Sequence, residues 1–145
     1  MLAPTVMRGT RRSSETRTRS PVVLLAEDSV DLRELFGAIL TNEGFAVIEA
    51  GDGREAVARA RSALPDVIVM DLSLPVLDGA AATRVLKTYL PTARIPILAL
   101  TGLRVSSGEA QAMGLEGVIR KPCDPQALIA HIRQILRPSG RRKRS

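Results

Sequence analysis

Residues 67–79, VIVMDLSLPVLDG, join a short apolar run to an acidic turn, and this stretch decides the fold. Val67–Met70 is rich in β-branched residues and has the character of a strand buried on both faces. Asp71 follows it directly. A carboxylate at the end of a buried strand lies at the edge of a sheet, so Asp71 is the first candidate functional residue.

Working outward, similar short apolar runs recur along the chain and predict four more strands. Longer segments with helical spacing separate them. Strict alternation of strands and helices predicts an α/β domain with a parallel sheet covered on both faces. The other predicted strands are Val22–Ala26, Ala46–Glu49, Ile97–Leu100 and Val118–Ile119.

Five helices are predicted between and after these strands, each with an apolar face except the short one at 107–113. The other four faces consist of Leu32, Leu35, Phe36, Ile39 and Leu40; Ala56, Val57, Ala60 and Leu64; Ala82, Val85, Leu86, Tyr89 and Leu90; and Leu128, Ile129, Ile132, Ile135 and Leu136. We expect these side chains to pack on the sheet.

The composition fits a single globular domain and excludes several classes of protein. The chain has 145 residues, of which 45% are apolar and 25% charged. No apolar run approaches the ~20 residues that a membrane-spanning helix needs, and no apolar stretch follows the basic N-terminus as in a secretory signal. The single cysteine excludes an internal disulfide. We therefore expect a cytoplasmic protein that neither spans a membrane nor has one as a partner.

The net charge of +6 belongs to the two ends of the chain. Residues 1–20 carry five Arg and one Glu, residues 137–145 carry four Arg and one Lys, and the 116 residues between them sum to −3. We predict disordered basic tails at 1–20 and 138–145 around a folded domain at 21–137. The tails are most simply solvated termini. Contact with nucleic acid or an anionic surface is the alternative, although no aromatic residue in them offers base stacking.

The predicted strands deliver a set of reactive side chains to one edge of the sheet. Glu27 and Asp28 follow the first strand, Asp71 the third, Thr101 the fourth and Lys121 the fifth. Carboxylates held close together favour Mg²⁺, which leaves room for a phosphate oxygen. Asp71 is the best placed nucleophile, and carboxylates form acyl phosphates. Lys121 and Thr101 are suited to bind other phosphate oxygens.

Four motifs in this order resemble the receiver domain of two-component response regulators over residues 21 to about 136. They are LLAEDS at 24–29, VMDLSLPVLDG at 69–79, LALTG at 98–102 and IRKPC at 119–123. The resemblance implies a doubly wound, flavodoxin-like fold with five strands in the order 2-1-3-4-5 and five helices. Pro75, Asp78 and Gly79 also match the family pattern.

The resemblance also implies roles for the site residues. Asp71 is then the phosphoacceptor, with Lys121 and Thr101 beside it, and the protein is a signalling domain rather than an enzyme. The Lys121–Pro122 bond is often cis in this family. The implied ligands of Mg²⁺ are Asp28, Asp71, the backbone carbonyl of Ser73 and, through a water molecule, Glu27.

Two positions depart from the family pattern. Val118 occupies the place of an aromatic residue that rotates inward on activation, so rotation of such a ring cannot be the output signal here. Glu27 replaces the more common aspartate, and its longer arm still reaches a metal-bound water. Neither change removes a group that phosphoryl transfer needs.

The implied partners are a histidine kinase or a histidine phosphotransfer protein as donor, and an unidentified downstream protein. We expect no attached output domain, so the downstream protein should bind the surface of the fourth helix, the fifth strand and the fifth helix. A phosphorelay intermediate is the alternative within the family. An aspartyl phosphohydrolase is less favoured because Ser73 stands where such enzymes carry a second aspartate, and a flavodoxin-type carrier because Glu27 and Asp28 would repel its phosphate.

Overall fold

The computed structural model describes residues 19–138. Five strands alternate with helices. The strands are β1 (Val22–Ala26), β2 (Ala46–Ala50), β3 (Val67–Met70), β4 (Ile97–Thr101) and β5 (Gly117–Arg120). The helices are α1 (Val30–Asn42), α2 (Gly53–Ala63), α3 (Gly79–Thr88), the single-turn α4 (Leu90–Ala93), α5 (Ser107–Met113) and α6 (Pro125–Ile135).

The strands form one parallel sheet in the order β2-β1-β3-β4-β5. This confirms the predicted topology. The chain moves from β1 to one edge of the sheet and then returns past β1 to β3. The strand order therefore reverses between β1 and β3, and ligands of such sheets bind at the carboxyl ends of the strands at this position.

Alternate residues of each strand face opposite sides of the sheet and build two apolar layers. Leu24, Ile68 and Met70 pack with α2 and α3 on one side. On the other side, Leu25 and Val69 pack with α1 and α6. The central strands β1, β3 and β4 are almost fully buried, which explains why they read as unbroken apolar runs.

Polar side chains fix where five of the six described helices begin, α4 being the exception. Each of them accepts a hydrogen bond from an amide in the first turn, which satisfies one of the unpaired donors at a helix start. At α5 this becomes a capping box, because the Glu109 side chain also accepts from the Ser106 amide. The capping residues are Ser29, Asp52, Asp78, Ser106 and Asp124.

The predicted apolar face of the third helix was wrong at its last two positions. Helix α3 ends at Thr88, Tyr89 is extended, and Leu90 is among the most exposed apolar residues. Pro91 explains the break, because its ring lacks an N–H and clashes with the preceding turn of a continuing helix. The chain instead forms α4, which was not predicted.

Two further leucines assigned to the core lie at the surface. Leu35 on α1 and Leu64 at the end of α2 are each about half exposed. Leu64 has a left-handed backbone (φ 48°) at the C-cap of α2, which turns it away from the apolar face of the helix. The apolar periodicity predicted the helices correctly, but it assigned to their buried faces some residues that are exposed.

The predictions for the two basic tails fall almost entirely outside the described residues. Among the helices within 19–138, none combines the length and apolar character needed to cross a bilayer.

Candidate functional site

The acidic residues meet because β1 and β3 are neighbours in register. Ala26 pairs with Met70, so the residues that follow them, Glu27 and Asp71, leave the sheet side by side. The Asp71 amide donates to the Ala26 carbonyl at 3.0 Å, and the Glu27 amide to Ala50 at 3.0 Å. Backbone pairing therefore extends to the residues that carry the carboxylates.

Glu27, Asp28 and Asp71 form a compact carboxylate cluster. One oxygen from each lies within 4.8 Å of the others. Glu27 and Asp71 are buried, while Asp28 is exposed and leaves the cluster open on one side. Carboxylates at this spacing repel one another, and an oxygen-ligand set with an open side suits a hard divalent cation such as Mg²⁺.

Lys121 places its ammonium group between the two buried carboxylates. Its Nζ lies 2.6 Å from Oε1 of Glu27 and 3.0 Å from Oδ2 of Asp71. Burial lowers the pKa of Lys121, but the hydrogen bonds to the two carboxylates together raise it by more, so its pKa lies above the usual value. Lys121 is thus held protonated beside Asp71.

The remaining carboxylate oxygens are oriented by backbone amides. The Ser73 amide donates to Oδ1 of Asp71 at 2.9 Å, and the Ser29 amide to Oε2 of Glu27 at 3.0 Å. Each buried carboxylate therefore has one oxygen held by an amide and the other held by Lys121. The Ser73 contact places that residue at the rim of the site, and a ligand role for its carbonyl stays a prediction.

Gly79 permits the close approach of helix α3 to Asp71. The Gly79 amide donates to the Leu72 carbonyl at 3.0 Å. A Cβ atom at Gly79 would lie 2.1 Å from the Asp71 carbonyl oxygen, far inside van der Waals contact. Only glycine fits this position, which gives the family match at Gly79 a steric cause.

Thr101 lies at the end of β4, next to β3, and its hydroxyl oxygen accepts a hydrogen bond from the loop that follows. It is fully buried, and its hydroxyl accepts a hydrogen bond from the Leu103 amide at 3.1 Å. No hydrogen bond within residues 19–138 joins this hydroxyl to Asp71. The structure therefore brings together Glu27, Asp28, Asp71 and Lys121, with Thr101 in a neighbouring position.

The Lys121–Pro122 peptide is cis, as the resemblance implied. Its backbone is anchored by the Lys121 amide, which donates to the Thr101 carbonyl at 2.8 Å.

Two features of the site escaped sequence reasoning. Arg33 of α1 donates from Nη1 to the Glu27 carbonyl at 2.7 Å and also pairs with Glu49 on β2. A Cβ at Gly53 would overlap the Leu77 carbonyl at 1.6 Å, so α2 packs directly on the loop after Asp71. No local pattern marks either contact, because both depend on how α1 and α2 pack.

The strand order of the parallel sheet reverses at the carboxylate cluster, and a lysine that follows the last strand lies beside that cluster. This combination defines the class of doubly wound signalling domains. The family profile described as "Response regulator receiver domain" matches residues 23–133. The chain belongs to this family, and the resemblance found in its motifs is confirmed. Receiver domains are phosphoacceptor signalling domains rather than enzymes that turn over a substrate.

Solved receivers share the fold over most of the described chain. The chemotaxis response regulator CheY4 of Vibrio cholerae is 32% identical with a TM-score of 0.77, covering 81% of this chain and all of its own. The receiver domain of the sensor histidine kinase PA1611 from Pseudomonas aeruginosa is 30% identical with a TM-score of 0.73, covering 80% of this chain and 97% of its own. The latter carries a magnesium ion in its active-site cleft.

Curated relatives include longer regulators. The DNA-binding response regulator MtrA of Mycolicibacterium paratuberculosis is 32% identical over 117 residues, which is 79% of this chain and 51% of MtrA. A gliding motility regulatory protein of Myxococcus xanthus is 36% identical over 118 residues, 78% of this chain and 15% of that protein. The chain spans about half the length of MtrA and its mycobacterial counterparts.

Proposed function

We propose that Asp71 accepts a phosphoryl group from a phosphohistidine on a histidine kinase or a histidine phosphotransfer protein, and that the modified domain changes its binding to a downstream protein in the cytoplasm. Family membership supports the class of donor. The observation that carries the assignment to Asp71 is its contact with Lys121, which holds a cation 3.0 Å from the only buried aspartate carboxylate within residues 19–138.

The residues of the site suggest how the transfer proceeds. A carboxylate oxygen of Asp71 attacks the phosphorus, the phosphorus–nitrogen bond of the donor breaks, and the donor histidine leaves as imidazole after taking up a proton. Lys121 neutralises charge on the transferring group. The Thr101 hydroxyl accepts from the Leu103 amide and still has its O–H to donate to a phosphoryl oxygen.

The carboxylate cluster fits Mg²⁺ by the chemistry of its donors. Asp28, Asp71 and the Ser73 carbonyl would hold the ion directly, with Glu27 acting through a water molecule. When bound, Mg²⁺ neutralises the phosphoryl oxygens as charge develops on them. Lys121 offsets part of the negative charge of Glu27 and Asp71 before the ion binds, and the ion mainly serves the transfer.

The output surface is proposed to be the face of α5, β5 and α6, which correspond to the predicted fourth helix, fifth strand and fifth helix. Val118 on β5 is half-buried against the core and lines a cleft beside α5, together with Ala110 and Leu115. With no ring at position 118, the signal would pass through the Thr101 loop and α5. The alternative is onward transfer of the phosphoryl group in a phosphorelay.

Incubation with acetyl phosphate and Mg²⁺, followed by intact-mass measurement, tests the assignment. We expect a gain of one phosphoryl group that Asp71→Asn abolishes and that chelation of Mg²⁺ greatly slows. Asp31→Asn is the matched control, because Asp31 is an exposed aspartate in the first turn of α1 and should leave the modification unchanged. An unmodified wild type, or a modified Asp71→Asn variant, would contradict the proposal.

A pull-down with beryllofluoride-loaded and unloaded protein tests the output. A downstream partner should be retained in only one of the two states, and exposed substitutions on α5 should weaken its capture. If phosphoryl label instead passes to a histidine phosphotransfer protein and no partner distinguishes the two states, the phosphorelay role is supported in its place.

A further inference from the structure

The amino-terminal end of the sheet, opposite Asp71, exposes a group of apolar side chains that phosphoryl transfer does not use. Leu64 ends α2, and Tyr89 and Leu90 follow α3. Because each helix of a parallel α/β fold returns the chain to the start of the next strand, all three lie at the end where strands begin. Leu90 is 86% exposed, so it contributes almost nothing to the core.

These apolar residues are accompanied by exposed arginines. The Arg61 guanidinium lies 4.6 Å from the centre of the Tyr89 ring, which joins the end of α2 to the end of α3. Arg94 follows α4 directly and lines a cleft with Leu136 and the two carboxylates Asp66 and Glu116. The surface is therefore an apolar patch bordered by cations, and we call Leu64, Tyr89, Leu90, Arg61 and Arg94 the basal patch.

Both ends of the described chain reach this same end of the sheet. Arg19 pairs with Asp66 at 3.7 Å, and Asp66 also accepts from the Val22 amide at 2.7 Å. Leu136, at the end of α6, lines the cleft that contains Asp66. Residues 1–18, with four Arg and one Glu, and residues 139–145, with three Arg and one Lys, are therefore joined to the molecule beside the basal patch.

The two ends of the domain thus differ in chemistry. The carboxyl edge carries Glu27, Asp28 and Asp71. The opposite edge carries arginines, exposed leucines and the attachment points of both basic segments, together with the acidic groups Asp66, which pairs with Arg19, and Glu116. Binding to the phosphate backbone of a nucleic acid would require only the cations. Cations together with exposed leucine and tyrosine match a bilayer surface, where anionic headgroups lie above hydrocarbon and tyrosine favours the boundary.

We propose that the basal patch docks on an anionic lipid bilayer. Leu64 and Leu90 enter the headgroup boundary, Tyr89 lies at it, and the arginines pair with lipid phosphates. The sequence predicted no membrane partner because it contains no spanning segment. Surface docking requires none, and the exposure of Leu90 became visible only in the structure.

Docking in this orientation turns the phosphoacceptor edge away from the bilayer. A kinase or phosphotransfer protein can then reach Asp71 while the domain is bound. To first order, vesicle binding should not depend on phosphorylation, and Asp71→Asn should bind vesicles as the wild type does. This separates failure of the docking proposal from failure of the phosphoacceptor assignment.

Co-sedimentation of the full chain with lipid vesicles tests the proposal. We expect binding to phosphatidylcholine vesicles containing roughly one-third phosphatidylglycerol, little binding to pure phosphatidylcholine, and loss at high salt. Leu90→Ser should weaken binding about tenfold by removing one inserted side chain. Leu35→Ser is the matched control, since Leu35 is 51% exposed on α1 but outside the basal patch, and it should bind unchanged.

Replacing the distal cations tests the electrostatic part in the full chain. Arg141→Gln, Arg142→Gln, Lys143→Gln and Arg144→Gln together should weaken vesicle binding by about tenfold or more. Absence of binding to anionic vesicles would overturn the proposal. So would binding that Leu90→Ser leaves intact, or preferential binding to a DNA duplex at the same salt concentration, which would make this a nucleic-acid surface.

Tryptophan fluorescence tests insertion directly, because the chain contains no tryptophan. Leu90→Trp should give an emission that shifts to shorter wavelength on addition of anionic vesicles, whereas Leu35→Trp should show no shift. Equal shifts at the two positions, or none at position 90 in vesicle-bound protein, would contradict docking through the basal patch.

Discussion

Lys121 lies closer to Glu27 than to Asp71, with its Nζ 2.6 Å from the glutamate oxygen and 3.0 Å from the aspartate oxygen. Glu27 is therefore the residue that chiefly restrains the lysine. In the resting site the cation is shared between the two buried carboxylates, and any metal that enters must share Glu27 and Asp71 with it.

Lys121→Met should destabilise the metal-free protein by about 2–3 kcal/mol, because two buried carboxylates lose their counterion. The same variant should bind Mg²⁺ more tightly, by at least about fivefold, since a cation no longer opposes the metal. Urea unfolding with and without Mg²⁺, together with calorimetric titration, measures both effects. A variant with unchanged stability and weaker Mg²⁺ binding would show that Lys121 does not restrain the cluster.

The pKa values of two lysines should be displaced in opposite directions. The carboxylates hold the pKa of Lys121 above the usual 10.5, whereas burial holds the pKa of Lys87 below 10.5, although Glu116 opposes that shift. Titration of ¹³C-labelled lysine side chains by NMR should order Lys87 below Lys121, and substitution of each lysine by methionine assigns the signals. The reverse order would contradict the described contacts.

The same shifts fix the sign of the pH dependence of stability. A raised folded-state pKa at Lys121 contributes stability that is complete below pH 10.5 and is lost as pH rises through the higher folded-state value. Lys87 acts oppositely, because its depressed pKa makes stability rise with pH up to 10.5. Unfolding measured from neutral to alkaline pH should therefore show a smaller alkaline loss in Lys121→Met than in the wild type.

Gly79→Ala should destabilise the protein by about 3 kcal/mol and impair phosphorylation, because the new methyl group would overlap the Asp71 carbonyl. Gly108→Ala is the control. Gly108 lies in α5, where the nearest heavy atom to an added Cβ outside the adjoining backbone is the Ser106 Oγ at 4.0 Å, so this change should be neutral or stabilise by up to about 1 kcal/mol. Denaturant unfolding of both variants measures the two effects. An equal loss in the free energy of unfolding at the two positions would argue against the close approach at Gly79.

Val76→Gly should stabilise the protein by about 0.5 kcal/mol. Val76 has a φ of 70° and is 74% exposed, so its β-branched side chain is strained and packs little. Relief of about 1–2 kcal/mol of strain is partly offset by the greater unfolded-state entropy of glycine. Val30→Gly, at the exposed start of α1, should instead destabilise. Thermal or denaturant unfolding of the two variants makes the comparison. If Val76→Gly proves less stable than the wild type, the backbone at Val76 is not strained.

The architecture could be predicted from sequence because local patterns dictate it. β3 is a run of four apolar residues, all of them buried, and Asp71 follows it directly. Parallel pairing then brings the residue after each strand to one edge, so the sequence alone assigns Glu27, Asp28 and Lys121 to one site with Asp71.

Other features depend on contacts that have no local signature. The hydrogen bond from Arg33 to the Glu27 carbonyl exists because α1 packs at one particular angle. Leu90 is exposed because Pro91 prevents α3 from continuing, although the apolar pattern up to Leu90 is helical. Val76 takes a left-handed conformation (φ 70°) in the loop between Asp71 and α3, and sequence propensity alone would not place a valine in that conformation.

The contacts at Gly53 and Gly79 enclose the loop that carries Asp71 between the starting turns of two helices. The number of residues in this loop is therefore constrained by the packing of α2 and α3, whereas their identities are constrained less. An inserted or deleted residue would displace the contact of Gly53 with Leu77 or that of Gly79 with Asp71. In any collection of natural or engineered variants, amino-acid exchange should be tolerated in residues 72–78 far more readily than a change in their number.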